Sequence, residues 1–364
     1  MILTQLAFIL IIVSFMSGLI KAEEIGIKQH QQLHQIFVDH GFSGTAMVTK
    51  NGNPVFHQGY GMAVKEWQIA NSANTKFRIA SLSKTFTEVV IMKLVEDGQL
   101  DINEPLKRYL PDFPANYGNE VTLLHLMTHR SGIPRFFNIP GWVNGKSVSL
   151  HTKEFFISMI ADMPVAFKAG LKRQYSSANY YLLGAIIEQV TGKKFGQVLQ
   201  EKIFKPLNMK NTDVYRPGQL VAGLASSYKS IRGKYSFCPN IEGEFCSGGN
   251  VNLALFIASG SMYSTTEDLA LWAQALDGNS LLSESNKAFL FNPNTQASWN
   301  VQTIALSNKK SLKLLVADGE LEGNSSMLIK LPEEQITIVM LNNTGMEYRN
   351  KAELGLKVIG VMLQ

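Results

Sequence analysis

The sequence predicts an α/β fold in which one sheet is made from both ends of the chain and a mainly helical segment is inserted between its two strand groups. Three observations carry this expectation. "GTAMVTKNGNPVFHQGYG" (Gly44 to Gly61) reads as two strands around an Asn51-Gly52 hairpin turn. From about residue 298 the hydrophobic period switches to that of strands, in "WNVQTIAL", "SLKLLVA", "SSMLIKLP" and "QITIVMLNN". Patterns of helical period lie between these groups, and strands near both termini with helices between them point to a single shared sheet.

In chain order, Ile27, Leu33, Ile36 and Phe37 share roughly one helical face over 27–40. Residues from about 82 to 97 read as a helix that ends at Gly98. Residues 99 to 255 are richer in helix and loop. They include "VTLLHLMTH" (Val121 to His129) and the long helix "SANYYLLGAIIEQV" (Ser177 to Val190), which stops at Thr191-Gly192. "STTEDLALWAQAL" (Ser264 to Leu276) reads as a capped amphipathic helix, and a last helix covers about 348 to 362. No internal repeat is found. The expected division is a signal peptide at 1–22, a discontinuous α/β domain at 23–98 and 256–364, and an inserted mainly helical domain at 99–255.

With 364 residues, 45% of them apolar, the chain is able to bury a large core. Charged residues are only 17% and no low-complexity block occurs, which argues against long disorder. The formal net charge is +5, but Lys and Arg are scattered, with no basic run and no interleaved aromatics. No nucleic-acid partner is therefore expected. The apolar stretch "LAFILIIV" (Leu6 to Val13) is too short for an ordinary membrane span and fits a secretory signal cut after Ala22. Against this, no Lys or Arg precedes it and Ile20 stands at the minus-three position, so an uncleaved N-terminal anchor stays open. No cysteine lies near the cut, which disfavours a lipoprotein. The expectation is an exported protein, periplasmic or secreted, with no stable membrane span after signal cleavage. In such a protein Cys238 and Cys246, in "FCPNIEGEFC", read most simply as a local disulfide. Two unpaired thiols are the alternative if the leader is not a signal. The stretch offers too few ligands for zinc, and no metal or cofactor is expected.

Several common active-site patterns are absent. There is no G-x-S-x-G elbow, no P-loop and no complete dinucleotide fingerprint. His125 and His129 are spaced i, i+4, but Leu126 stands where a zinc protease needs its glutamate. All seven histidines lie at or before position 151, and nothing points to a Ser-His-Asp triad.

Three polar clusters remain. The first is Ser81-Leu82-Ser83-Lys84, in "FRIASLSKTFT" (Phe77 to Thr87), at a strand-to-helix turn. Residues three apart on a helix share a face, so the Lys84 amine is able to reach the Ser81 hydroxyl. A serine becomes a nucleophile when a neighbouring base takes its proton. A lysine serves as that base only with a lowered pKa, since at the reference value near 10.4 roughly one in 2,500 is neutral at pH 7. Taken alone, a cap serine beside a solvated lysine is the more ordinary reading. The second cluster is Tyr175-Ser176-Ser177, before the long helix, where a tyrosine near a lysine is able to relay a proton. By itself it reads as a helix cap beside a half-buried tyrosine. The third is Ala317-Asp318-Gly319-Glu320 at the end of a strand, where a glycine lets another backbone or a ligand approach closely. In isolation it reads as a strand-ending turn.

The order and context of these clusters resemble the serine beta-lactamase and penicillin-binding protein superfamily, in the branch that holds class C beta-lactamases, D-alanyl-D-alanine carboxypeptidases and related esterases. The resemblance covers nearly all of residues 42 to 345. It runs through "FSGTAMVTKNGNPVFHQGYGMA", "NTKFRIASLSKTFT", "LDINEPLKRYLPDF", "VTLLHLMTHRSGIPRF", "TGKKFGQVLQEKIFKPLNMKNTDVY", "GSMYSTTEDLALWAQAL" and "LIKLPEEQITIVMLNN". It implies a beta-lactamase/transpeptidase-like fold: a mixed antiparallel sheet flanked by the terminal helices, with the site in a cleft beside the inserted helical domain. Carried over by position, Ser81 is implied as the acylated nucleophile and Lys84 as its general-base partner. Tyr175 is implied as the tyrosine of the Y-x-N motif, which shuttles the proton to the leaving group. The backbone N–H groups of Ser81 and Glu320 are implied as the oxyanion hole, in which each donor is worth about 2.7–4 kcal/mol.

Two positions depart from the family pattern. Ser177 replaces the asparagine of Y-x-N. The third motif, usually Lys-Thr-Gly or His-x-Gly, is Ala317-Asp318-Gly319, so its cation is missing where the family helps hold a substrate carboxylate. Losing such a charge-assisted bond costs about 1.5–3 kcal/mol, on the order of 10- to 150-fold. The resemblance therefore implies an exported serine hydrolase that forms an acyl-enzyme at Ser81. Its partner would be a small-molecule or peptide substrate: an ester, an amide or a D-amino-acid peptide of cell-wall origin, with carboxylate-bearing substrates turned over poorly. A D-alanyl-D-alanine carboxypeptidase or beta-lactamase proper is the alternative within that class. A non-catalytic binding protein with a degraded third motif is the alternative outside it. The oligomeric state stays open.

Overall fold

The computed structural model describes residues 26–113, 116–139, 141–142, 152–216, 218–231, 234–237, 256–305, 311–321 and 323–364. The expected signal peptide, 1–22, and the pair Cys238 and Cys246 lie outside the described residues.

Residues 26–39 form helix α1. Strands β1 (Gly44–Lys50) and β2 (Asn53–Tyr60) follow. Between them Asn51 and Gly52 both take positive φ, 54° and 76°, as a two-residue hairpin turn requires. Short strands β3 (Met62–Val64), β4 (Ile69–Ala70) and β5 (Phe77–Arg78) lead to α2 (Ser83–Glu96). Helices α3 (Leu106–Tyr109), α4 (Leu123–Met127), α5 (Lys153–Ala161), α6 (Ser177–Thr191) and α7 (Phe195–Leu199) come next. Then come β6 (Asp213–Val214), β7 (Tyr228–Ile231), β8 (Lys234–Phe237) and β9 (Met262–Ser264). In α8 (Thr266–Ala275) the Thr265 side chain caps the Asp268 N–H, as the sequence pattern predicts. After α9 (Glu284–Leu290) the chain ends in β10 (Asn300–Ala305), β11 (Ser311–Leu321), β12 (Asn324–Leu331), β13 (Ile336–Asn342) and α10 (Tyr348–Met362). Among the described residues no helix is long and apolar enough to cross a membrane.

The long strands form one sheet in the order β10-β11-β12-β13-β1-β2, with every pairing antiparallel. The two ends of the chain meet at β1 and β13, where Gly44 faces Asn342 and Lys50 faces Ile336. Strand side chains alternate between the two faces. Ala46, Val48, Ile338 and Met340 therefore pack with Leu33 and Phe37 of α1 and Leu354 and Val358 of α10. Met47, Val339 and Leu341 point the other way, into the larger core shared with α2, α6 and α8. Apart from Ala46, each such side chain contributes about 1.5–3 kcal/mol on burial.

The same alternation fixes β11. Leu312, Leu314 and Val316 face the terminal helices, whereas Leu315 and Ala317 face the larger core. Continuing the count puts Asp318 and Glu320 on the terminal-helix side and Gly319 on the side of α2. The strand runs through Ala317-Asp318-Gly319-Glu320 to Leu321, with Gly319 opposite Ser326. The expected strand-ending turn is therefore extended backbone, held by pairing with β12.

Candidate active site

Ser81 sits in a single 3-10 turn, Ala80–Leu82, between β5 and α2. It is not a helix cap. The cap position of α2 is Leu82, which makes no side-chain cap bond. Ser81 Oγ instead lies 2.7 Å from Tyr175 Oη and accepts a hydrogen bond from Lys84 Nζ at 3.0 Å. The turn holds Ala80 at φ 50°, a left-handed conformation that costs a non-glycine residue about 1–3 kcal/mol. Neighbouring bonds impose it. Ile79 N–H donates to Met262 O at 3.0 Å, Ser326 Oγ to Ile79 O at 2.7 Å, and Ser83 Oγ to Ala80 O at 2.7 Å.

Lys84 is 1% exposed. Its amine also donates to Ser259 O at 2.5 Å and lies 4.9 and 5.5 Å from the ring centres of Tyr175 and Tyr180. For Tyr175, burial alone would push the phenol up. The Lys84 charge outweighs it, together with hydrogen bonds from Lys84, Ser81 and Ser177, and brings the pKa below its ordinary value. A lowered phenol is what a proton-accepting tyrosine needs. Ser177, in place of the expected asparagine, is the first residue of α6, two positions beyond Tyr175.

Behind Lys84, one helical turn along α2, lies Glu88, which is fully buried. Its Oε1 accepts from the Tyr180 hydroxyl and from Ser298 N–H, the latter at 2.7 Å, while Oε2 has no hydrogen-bond partner among the described residues. Burial raises its carboxyl to about 7, against the pull of those bonds and of Lys84.

The third motif closes against the Ser81 turn. A Cβ on Gly319 would lie 2.3 Å from Ile79 O and 2.8 Å from Ser81 N, so only glycine admits the contact. This sets the Ser81 backbone beside the Gly319–Glu320 peptide. Ala317 does not join them: it is buried in the larger core and does not line the cleft. From the other face of the sheet Lys351 of α10 reaches the motif. It donates to Gly319 O and Ser326 O at 3.2 Å each and pairs with Glu320 at 3.2 Å and Asp318 at 3.6 Å. Burial raises the Asp318 carboxyl; the Lys351 charge opposes that shift and the Glu320 charge adds to it.

Sequence reasoning missed three further cleft residues. His129 reads in the sequence only as half of a zinc pair. It stands at φ 58° with its ring centre 4.4 Å from that of Tyr175, and its Nδ1 accepts from Ser176 N–H at 3.2 Å. Burial first, then the charges of Lys84 and Arg173, hold it well below the usual imidazole range, so it is a neutral wall behind Tyr175. Arg135 donates to Tyr175 O at 3.1 Å, and Arg173 to Gln296 O at 3.2 Å. Both line the cleft, of about 830 Å³, that also holds Ser81, Lys84, Tyr175, Asp318 and Glu320. The cleft is thus lined by two guanidinium groups and two carboxylates as well as by the serine. No periodicity marks these arginines, and their segments carry no motif of their own.

A model of the Beta-lactamase family matches residues 27–357. The chain belongs to this family of serine hydrolases. It is 29% identical over 280 residues to a Bacillus subtilis (strain 168) protein described as the penicillin-binding protein PbpX, covering 76% of this chain and 65% of that protein. It thus spans less than two-thirds of that relative's length. A penicillin binding protein from Bacillus halodurans superposes with a TM-score of 0.73 at 27% identity, covering 89% of this chain and 98% of that one. A D-amino acid amidase from Ochrobactrum anthropi SV3 shares the fold with a TM-score of 0.74 at 22% identity, covering 92% and 99% of the two chains.

Proposed function

We propose that the protein is an exported serine hydrolase that forms an acyl-enzyme at Ser81 on an ester, an amide or a D-amino-acid peptide. The observation that carries this reading is the bonding of Ser81 Oγ to both Lys84 Nζ and Tyr175 Oη. In this mechanism the Ser81 proton passes to the Lys84–Tyr175 pair as Oγ attacks the substrate carbonyl. The Ser81 and Glu320 backbone N–H groups stabilise the tetrahedral oxyanion. Tyr175 then protonates the leaving group as the carbonyl–heteroatom bond breaks. Water, deprotonated by the same pair, resolves the ester and returns the proton to Ser81. The division into an α/β unit at 23–98 and 256–364 and a helical insertion at 99–255 belongs to this proposal, as does export by a signal at 1–22.

The acidic third motif supports neutral acyl donors over carboxylate-bearing ones, and the similarity of fold to a D-amino acid amidase is consistent with an amide substrate. Arg135 and Arg173 support a second reading. They offer a partner for a substrate carboxylate within the same cleft, which would suit a D-alanyl-D-alanine peptide or a penicillin.

The test is covalent labelling. The purified protein and Ser81→Ala are each treated with a fluorophosphonate and with a fluorescent penicillin. Ser81-dependent fluorophosphonate labelling with little penicillin labelling is expected. Equal labelling by both probes would move the assignment to the second reading. No labelling of the wild type by either probe would remove the catalytic reading altogether.

A further inference from the structure

We infer that Lys351 is a positioning residue for the oxyanion hole, fixing from the far face of the sheet the peptide whose N–H receives the developing charge. This rests on the reading of Ser81 as nucleophile and deepens it.

The argument begins with register. Gly319 and Ser326 are directly opposed on β11 and β12. A single ammonium reaches both of their carbonyl oxygens at 3.2 Å, so both carbonyls turn into the gap between these strands. In an antiparallel ladder the next residue turns its N–H and C=O to the opposite edge. The Glu320 N–H therefore leaves β12 and points to the other edge of β11. Among the described residues that edge is open, because β10 pairs with β11 only up to Val316. It lies where Gly319 touches the Ser81 backbone. One trans peptide unit thus has its oxygen held by Lys351 and its hydrogen directed at the cleft. Hydrogen bonds in a chain polarise one another, so an ammonium on the oxygen also strengthens the N–H as a donor.

Burial and charge agree with this role. Lys351 is 2% exposed, and a buried ammonium persists only when paired. Its ion partners, Asp318 and Glu320, stand on either side of Gly319. Their charges offset that of Lys351, so its effect on the oxyanion is exerted chiefly through the peptide it holds. The cation missing at Ala317 is thereby restored from another element, where it holds the donor and not the substrate.

The test uses hydrolysis of p-nitrophenyl butyrate by wild type, Ser81→Ala, Lys351→Met and Lys351→Arg, with folding checked by thermal melting. Lys351→Met should lower kcat by about 100-fold with KM within about threefold, since loss of one oxyanion donor costs about 10²–10³ in kcat. Affinity for an aryl boronic acid, which imitates the tetrahedral species, should fall in parallel. Lys351→Arg, still cationic, should restore kcat to within about tenfold of wild type. Adding Asp318→Asn and Glu320→Gln to Lys351→Met should leave kcat low. Full recovery there would overturn positioning in favour of charge balance. If the methionine variant does not fold, Lys351→Gln takes its place with the same expected fall in kcat. A folded variant with wild-type kcat, or a loss confined to KM, overturns the inference. Wild type no faster than Ser81→Ala would instead remove the nucleophile reading, and the role of Lys351 with it.

Discussion

The two ends of the cleft are built on opposite principles. At the Ser81 end, the Ser81 hydroxyl bonds both Lys84 and Tyr175, and the Lys84 amine stands 4.9 Å from the Tyr175 ring centre. At the third-motif end, polar groups run from Lys351 on the far face, through the Gly319 carbonyl, to the edge of β11 that β10 leaves unpaired beyond Val316 among the described residues. The first end has its chemistry in side chains that face the cleft. The second has it in backbone, held by side chains that stand behind it. A charge lost from the front of such a motif does not have to be replaced at the same position.

Four substitutions break or sharpen this contrast. Tyr175→Phe keeps the ring against His129 and removes only the hydroxyl bonded to Ser81. Steady-state kinetics should show kcat/KM falling by about 10²–10⁴, the usual worth of a general acid–base group. Gly319→Ala attacks the other end through shape alone. A methyl 2.3 Å from Ile79 O must push β11 off the Ser81 turn. A loss of about 10²–10³ in kcat is expected, with Ser81, Lys84 and Tyr175 all present. If the variant is as active as wild type, the two ends do not share an oxyanion hole.

Glu88→Gln tests the support beneath the first end through pH. Burial raises Glu88 from its ordinary value of 4.5 to about 7, so the folded state binds the proton more tightly than the unfolded chain does. The resulting stability is fully present below the unfolded value and is lost as pH rises through about 7. Over that window the loss amounts to about 3 kcal/mol. His129, held below its ordinary value, contributes the opposite slope, losing stability as pH falls. Denaturation of wild type and Glu88→Gln at pH 5 and pH 8 isolates the Glu88 share, and the variant should be relatively more stable at pH 8. The smallest effect belongs to Arg135→Ala. Fluorescent-penicillin labelling should slow by about tenfold, within the worth of one charge-assisted bond, while p-nitrophenyl butyrate hydrolysis falls by less, through the Tyr175 carbonyl that Arg135 holds.

The two ends are unequally legible in the sequence. Ser81 and Lys84 are three residues apart, so local geometry alone joins them, and Tyr175 and Gly319 follow once their order is compared with a family. The hairpin at Asn51-Gly52 and the β11–β13 strand runs are readable because turn chemistry and period are local. The polar partners of α2 and α10 are not. Glu88 meets Tyr180 and Ser298 only after three separate elements pack. Lys351 leaves a trace: it falls on the apolar stripe of α10 with Leu354, Gly355, Val358 and Ile359. A lysine on that stripe is buried with the stripe, and burial obliges it to find anions or carbonyls. The absence of a cation at Ala317 is visible at its own position. The ammonium behind the motif is hidden, because it lies on another element and approaches from the other face.

The pairing of β1 with β13 gives the molecule an order in time as well as in space. Ser81 and Lys84 are synthesised early, on the turn before α2 and on its first turn. Their backbone partner on β11 comes far later, and the strand that joins both ends of the sheet later still. Such distant pairings are slow to close, because the loop must be ordered before any contact rewards it. A ribosome thus carries this chain through most of its synthesis with the Ser81 turn already made and the strand that packs against it still to come. The Ser81 turn and the strand that packs against it are brought together only when the sheet closes.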